Sequence, residues 1–264
     1  MIRHIVLNIL SRLGIFLVQQ TDTSRIYDLL KQLYPLSGDK PLVRLGAKGN
    51  GGYLVPDDFQ GIEACFSPGV STFSTFEKEC ADMGMHVFLA DASVEQPVEL
   101  DELLFSFIQK YVGVTSNEDF ITLDDWVSLS LSEHNSDLIL QMDIEGYEYE
   151  VILGVSDKLM KRFRIIVIEF HSLHQLLNRP FFDLASRVFE KILQSHECVH
   201  IHPNNCCGSL NVKSLEIPRV MEFTFLRKDR IDNYAFAKDF PHTLDFDCTN
   251  APSLILPKCW YLSK

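Results

Sequence analysis

Cationic residues are scarce in this chain. Lys and Arg number 24 against 36 Asp and Glu, giving a formal net charge of -12, and no basic run occurs anywhere. A nucleic-acid binder concentrates Lys and Arg to neutralise phosphates, so neither a nucleic acid nor an anionic membrane is expected as the main partner. Long apolar runs are also missing. The segment Ile5 to Val18 is apolar-rich but is interrupted by Asn8, Ser11 and Arg12, and it is too short to span a bilayer. It has no small-residue cleavage site of the kind a secretory leader carries. An amphipathic helix that packs on the domain or caps its site is the expected structure, with no stable membrane insertion. The seven cysteines include no CxxC pair and several fall inside apolar runs. There they serve as small hydrophobes, which points to a reducing, cytoplasmic setting and away from a disulfide scaffold. The adjacent Cys206 and Cys207 lack the second pair that a metal site of that type needs. Internal repeats, low-complexity segments and a G-x-G-x-x-G glycine pattern are absent as well.

What is present is core material: hydrophobic residues make up 46% of 264 positions, and charged residues 23%. That composition suits one large globular domain and argues against disorder. Residues 1 to 40 read as a helical extension, with helices over Ile2–Val18 and Ser24–Leu33 ended by Pro35. Residues 41 to 264 read as the main domain, its tail from Asp232 wrapping the body. Two short apolar segments, Leu42–Leu45 and Tyr53–Pro56, flank a Gly/Asn cluster and predict a hairpin. Strands are then predicted at Ile62–Ser67, His86–Asp91, Asp137–Met142, Arg164–Phe170, Glu197–His202 and Val220–Leu226. Helices intervene at Glu145–Leu153 and Asp183–Gln194, and another is opened by Ser74-Thr75-Phe76-Glu77, which has the form of a capping box. Such alternation predicts an α/β fold, a mostly parallel sheet with helices on both faces. The last strand follows its predecessor so closely that an antiparallel edge strand is expected.

Ligands of an open α/β sheet bind outside the carboxyl ends of the strands. The first strand of that series ends in Ser67-Pro68-Gly69-Val70-Ser71, where the glycine allows close backbone approach and a helix follows. The next ends in Asp91, about 22 residues beyond Gly69, the usual step to an acid that takes ribose hydroxyls. The strongest local feature is Gln141-Met142-Asp143-Ile144-Glu145-Gly146-Tyr147-Glu148, an apolar strand delivering two acids to its tip. Asp143 reads as functional and Glu148 as a charge complementing a helix N-terminus. Period-two alternation puts Glu169 with His171, and His200 with His202, on common faces. Glu222, embedded in an apolar strand, needs a cation, a donor or a metal.

The series Asn50–Asp58, Phe66–Ser71, Thr122–Asp125, Gln141–Glu148, Ile168–His171, His200–Asn205 and Met221–Arg227 resembles the FkbM-type methyltransferases, with the D-I-E-G-x-E block its most specific part. The resemblance implies a Rossmann-like class I methyltransferase fold, S-adenosylmethionine as cofactor, and O-methylation, often of sugars. It also implies that Ser67, Pro68, Gly69 and Ser71 face the cofactor, that Asp91 binds its ribose and that Asp143 sits near the transferred methyl. Thr122 is a candidate helix N-cap. A hydroxyl is a poor nucleophile at neutral pH, so His171 or His202 is expected as the base, or a divalent ion held by Asp143, Glu169, His171 and His200 lowers the hydroxyl pKa. The expected partner is a small-molecule or carbohydrate acceptor. Three rival readings stand beside this one. They are a metal-dependent hydrolase built on Asp143, Glu169, His171, His200 and His202, a nicotinamide dehydrogenase disfavoured by its missing glycines, and a binding module that kept the fold without turnover.

Overall fold

The computed structural model describes residues 10–12, 14, 17–70, 74–94, 104–132 and 135–262. The expected helix Ile2–Val18 lies largely outside these residues, and Ser71 wholly so. Among the described residues seven strands form the central sheet: β1 (Ile62–Pro68), β2 (His86–Ala90), β3 (Phe105–Ile108), β4 (Asp137–Met142), β5 (Phe163–Phe170), β6 (His196–Pro203) and β7 (Met221–Arg227). Their spatial order is β6-β7-β5-β4-β1-β2-β3. Every neighbouring pair is parallel except those made by β7, which is antiparallel to both β5 and β6. This is a mixed α/β sheet of the Rossmann-like methyltransferase type, in which the order reverses beside β1. The antiparallel strand foreseen at the edge is present but sits one place in, because β6 takes the outer position beyond it.

One face of the sheet is covered by helices α1 (Thr23–Gln32), α3 (Leu123–Ser130), α4 (Glu148–Gly154), α5 (Asp157–Met160) and α6 (Arg179–Ser195); α2 (Thr75–Asp82) lies on the other. The first face buries Phe66, Leu140, Ile168 and Phe223 against Leu30, Trp126, Ile152 and Phe189. α1 belongs to this core through Ile26, Leu29, Leu30 and Leu33, whose three-and-four spacing makes one apolar stripe. The opposite face carries Cys65, Ile139 and Val167 beneath Tyr53, Val55 and Phe76. Its cover is α2 together with the antiparallel hairpin Leu42–Gly46/Gly52–Pro56. Strand side chains alternate between two buried faces, so the strands read as near-continuous apolar runs.

Two helix starts differ from expectation. Ser74 makes no side-chain cap bond, and Glu77, the other half of the expected box, turns inward to the Ser67 hydroxyl at 2.6 Å. α4 begins at Glu148 and not at Glu145, since Glu145 and Gly146 adopt φ of 56° and 110°, outside the helical range. Thr122 does cap α3, accepting the Asp125 amide at 3.1 Å.

Candidate active site

The ends of three neighbouring strands meet at the carboxyl rim. The Gly69 amide donates to the Ala90 carbonyl at 3.0 Å, the Asp143 amide to the Pro68 carbonyl at 3.3 Å, and the Asp91 amide to the Ile108 carbonyl at 3.2 Å. Gly69, Asp91 and Asp143 therefore stand side by side on the tips of β1, β2 and β4. Gly69 has φ 83°, and a Cβ there would lie 1.7 Å from the Asp143 carbonyl oxygen. Its missing side chain thus lets two strand ends close on each other. The Asp91 carboxylate accepts the amide of Ser93 at 2.7 Å and its hydroxyl at 2.6 Å, an Asx turn that fixes its orientation at the rim.

Beyond Asp143 the rim is acidic. Cα pairing sets His202 opposite Glu222, and Glu222 opposite Glu169. Because paired residues share a face, a row of ionisable side chains runs along the sheet toward Asp143. His171, just past the end of β5, holds the centre. Its Nε2 lies 3.4 Å from Glu145, 3.9 Å from Asp143 and 3.9 Å from Glu169, while its Nδ1 is 3.0 Å from Glu148. Glu148 is fully buried and with one oxygen also accepts the loop amides of Ile144 at 3.2 Å and Gly146 at 3.0 Å. One carboxylate thereby shapes the loop after β4 and orients the imidazole.

Charge in this low-dielectric setting is costly, and the protons redistribute accordingly. Burial pushes the Asp143 carboxyl up to about 7, opposed by His171, with Glu145 and Glu148 adding to the rise. Burial likewise lifts Glu169, helped by Asp143 and Glu222. For His171 burial works toward the neutral ring, but the bond to Glu148 and the surrounding carboxylates together win and raise it. The free site thus holds an imidazolium among acids. Asp143 Oδ1 and Glu169 Oε2 are buried without a hydrogen-bond partner. One ligand atom each from Asp143, Glu145 and His171 lie within 4.8 Å of one another.

Residues 72–198, which supply β2 to β5 but neither β1 with Gly69 nor most of β6 and β7, match the methyltransferase FkbM domain family. That stretch, just under half of the chain, is similar to an FkbM methyltransferase domain. Among solved structures it is similar to a SAM-dependent methyltransferase from Archaeoglobus fulgidus, at 13% identity and a TM-score of 0.33, covering 64% of this chain and 88% of that one. It is also similar to WbdD, at 14% identity and a TM-score of 0.31, covering 84% of this chain but only 46% of that one. Neither score is high enough to equate the geometries. No curated protein matches the chain at a significant level.

The expected site residues divide. Asp143 and His171 come together, and Glu169 lies beside them, though its Oε1 is engaged by the Asn204 amide at 2.9 Å. Ser67 does not face the crevice. Its hydroxyl is wholly buried under the hairpin, 2.6 Å from both Glu77 and Gln141. Pro68 is likewise buried as the last residue of β1. His200 and His202 are also corrected, because both are held beneath the tail by Asp245. His200 Nε2 is 2.9 Å from Asp245, while His202 has Nδ1 3.5 Å from Asp245 and Nε2 3.1 Å from the Phe246 carbonyl. His202 is thus turned toward the tail through both ring nitrogens, and His200 is no part of the Asp143 group. The five-residue cluster that a hydrolase would need is not assembled. Sequence reasoning missed the anchoring role of Glu148. The signal was available in its pairing with Gly146, since a positive-φ turn leaves amides that a nearby carboxylate can collect. The role of Asp245, 45 residues from His200, had no local signal.

Proposed function

We propose that the chain is a S-adenosylmethionine-dependent O-methyltransferase acting on a hydroxyl of a sugar or glycan-like small molecule. The observation that carries this reading is the adjacency of Gly69, Asp91 and Asp143 at one rim, in a chain that matches the FkbM domain. The acidic surroundings suit a cationic ligand, because the buried, unpartnered oxygens of Asp143 and Glu169 gain most from a fixed positive charge. When bound, the sulfonium donor supplies an activated methyl whose C–S bonding pair leaves on sulfur as the acceptor oxygen attacks. The protein's work is then alignment and removal of the hydroxyl proton. Asp91, held by Ser93, is placed to accept ribose hydroxyls. His171 donates Nδ1–H to Glu148 and so presents Nε2 as the base. A cationic ligand beside it opposes the imidazolium and favours the neutral ring that can take a proton.

A divalent cation is the second part of the reading. Asp143, Glu145 and His171 offer two carboxylates and an imidazole, a donor set for Mg²⁺-like or transition-metal ions. The Glu148 bond to Nδ1 is the outer contact that orients a ligating imidazole. Bound there, a metal would lower the pKa of an acceptor hydroxyl, and His171 would then be a ligand in place of a base.

Calorimetric titration of the full chain with S-adenosylmethionine tests the cofactor. The expected dissociation constant is about 10 μM or tighter, weakened at least tenfold in Asp91→Ala. Absence of binding by folded protein removes the reading. Turnover that stops in chelator and returns with a divalent ion supports the metal, and undiminished turnover of metal-stripped protein eliminates it.

A further inference from the structure

Away from the rim, a cavity of about 560 Å³ opens between the chain segment 36–42, the outer strands β6 and β7, and the tail residues 235–242. Nothing in the methyl-transfer reading uses it. Its inner wall includes His200, only 3% exposed. The Asp245 carboxylate is held far below the usual range; burial opposes this, and the His200 and His202 rings outweigh it. An anion at Asp245 accepts from His200 Nε2, so the ring's lone pair sits on Nδ1. Burial, joined by the neighbouring His202 and His242, keeps His200 neutral. Among the described residues no side chain or backbone group bonds to that Nδ1. An imidazole acceptor in a concave wall, its tautomer fixed from behind, is built to receive a hydroxyl or amide proton.

The other walls narrow the class. Phe236 is 57% exposed, and Phe240 lies near-parallel to the His200 ring at 6.2 Å between centroids. Asp39 and Asp239 are balanced by Lys40 and Lys238, so the lining has no net charge to select an ion. Flat apolar faces with donors and acceptors of both kinds around them suit a ring with one C–H face and many hydroxyls. The volume falls within the range of small-molecule sites.

We propose that this cavity is a second ligand site, separate from the methyl-transfer crevice, for a neutral saccharide of one or two rings, with a hydroxyl donating to His200 Nδ1 and a sugar face on Phe236.

Saturation-transfer NMR on the full chain, with methyl glucoside, methyl mannoside, maltose and lactose as probes and glucose 6-phosphate and phenol as comparisons, tests it. At least one neutral saccharide should bind, with affinity lowered tenfold or more by Phe236→Ala, a mostly exposed ring that packs edge-on against Tyr34. His200→Gln should weaken it similarly in protein with an unaltered circular dichroism spectrum, and Asp143→Asn should leave it unchanged. The proposal is overturned if no neutral saccharide binds at 10 mM (on the order of the weakest useful affinity), or if phenol or the phosphate ester binds in preference. Binding lost in Asp143→Asn but kept in Phe236→Ala would also overturn it, by moving the sugar to the rim as acceptor. Failure to bind S-adenosylmethionine would leave this site untouched.

Discussion

At Glu148 one carboxylate oxygen receives two loop amides and the His171 ring. Glu148→Gln keeps an acceptor for the amides but removes the charge, so the His171 pKa should fall toward its ordinary value. Its ring titration by NMR reads this directly, and a stability loss of about 1–3 kcal/mol should accompany it. An unmoved titration would mean that Glu148 is not what holds the proton. At Gly69 the expected result is harsher. Any Cβ collides with the Asp143 carbonyl at 1.7 Å in a left-handed backbone, so Gly69→Ala should cost about 3 kcal/mol or more in denaturant titration. A near-neutral outcome would show that the two strand ends are free to part. In the sequence Glu148 read only as a helix N-terminal charge within the D-I-E-G-x-E block, and Gly69 as a point of close backbone approach in the Ser67–Ser71 turn. Their exact roles were not legible, because a buried carboxylate's partners come from another strand, here His171, and sequence spacing carries no information about that approach.

At the scale of the element, the short apolar runs were enough to find six of the sheet's strands within a residue or two. β3 escaped because Phe105–Ile108 is a four-residue edge segment with a polar Ser106 and no long apolar run. Helix starts were less legible where a side chain had a competing tertiary partner. Ser74 and Thr122 are both hydroxyl residues just before a helix, yet only Thr122 makes its cap bond. Thr122→Ala should therefore lower stability by about 1 kcal/mol, while Ser74→Ala should be near neutral, as measured by thermal unfolding of each variant. Equal losses would contradict the difference in capping.

The whole molecule carries the protonation of its rim into its stability. Asp143, Glu169 and His171 are all raised in the fold, to about 7, about 8 and about 9, so each holds in the native state a proton that the unfolded chain releases at its ordinary value. The loss begins in the carboxyl range and ends, for Glu169 and His171, across about pH 7 to 9. Native stability must then fall as pH rises from about 7 to 9, by at most about 1.4 kcal/mol per pH unit for each retained proton. The depressed groups act elsewhere: Asp58, Asp137 and Asp245 lose their contribution in acid, and His196 loses its own as pH falls from its ordinary value toward about 4. Thermal midpoints should therefore drop across pH 7 to 9 in free protein, less steeply in Glu169→Gln and less steeply with a bound cation. A profile that is flat there in the wild-type chain would exclude the shared-proton rim. The described residues contain no helix long and apolar enough to cross a membrane.

β7 runs against its neighbours, and this has a consequence for how the molecule can diversify. The chain leaves the sheet at Pro203 and rejoins it at Met221 on the same side, with the short pair Ser209–Val212 and Leu215–Pro218 between. The excursion is tied to the body, since Leu215 and Ile217 are buried in the core and the Leu173 amide donates to the Arg219 carbonyl at 3.0 Å, but its exposed positions Asn211 and Lys213 can change without shifting a single rung of strand pairing. Those positions can vary while the half of the sheet bearing Gly69 and Asp91 stays as it is.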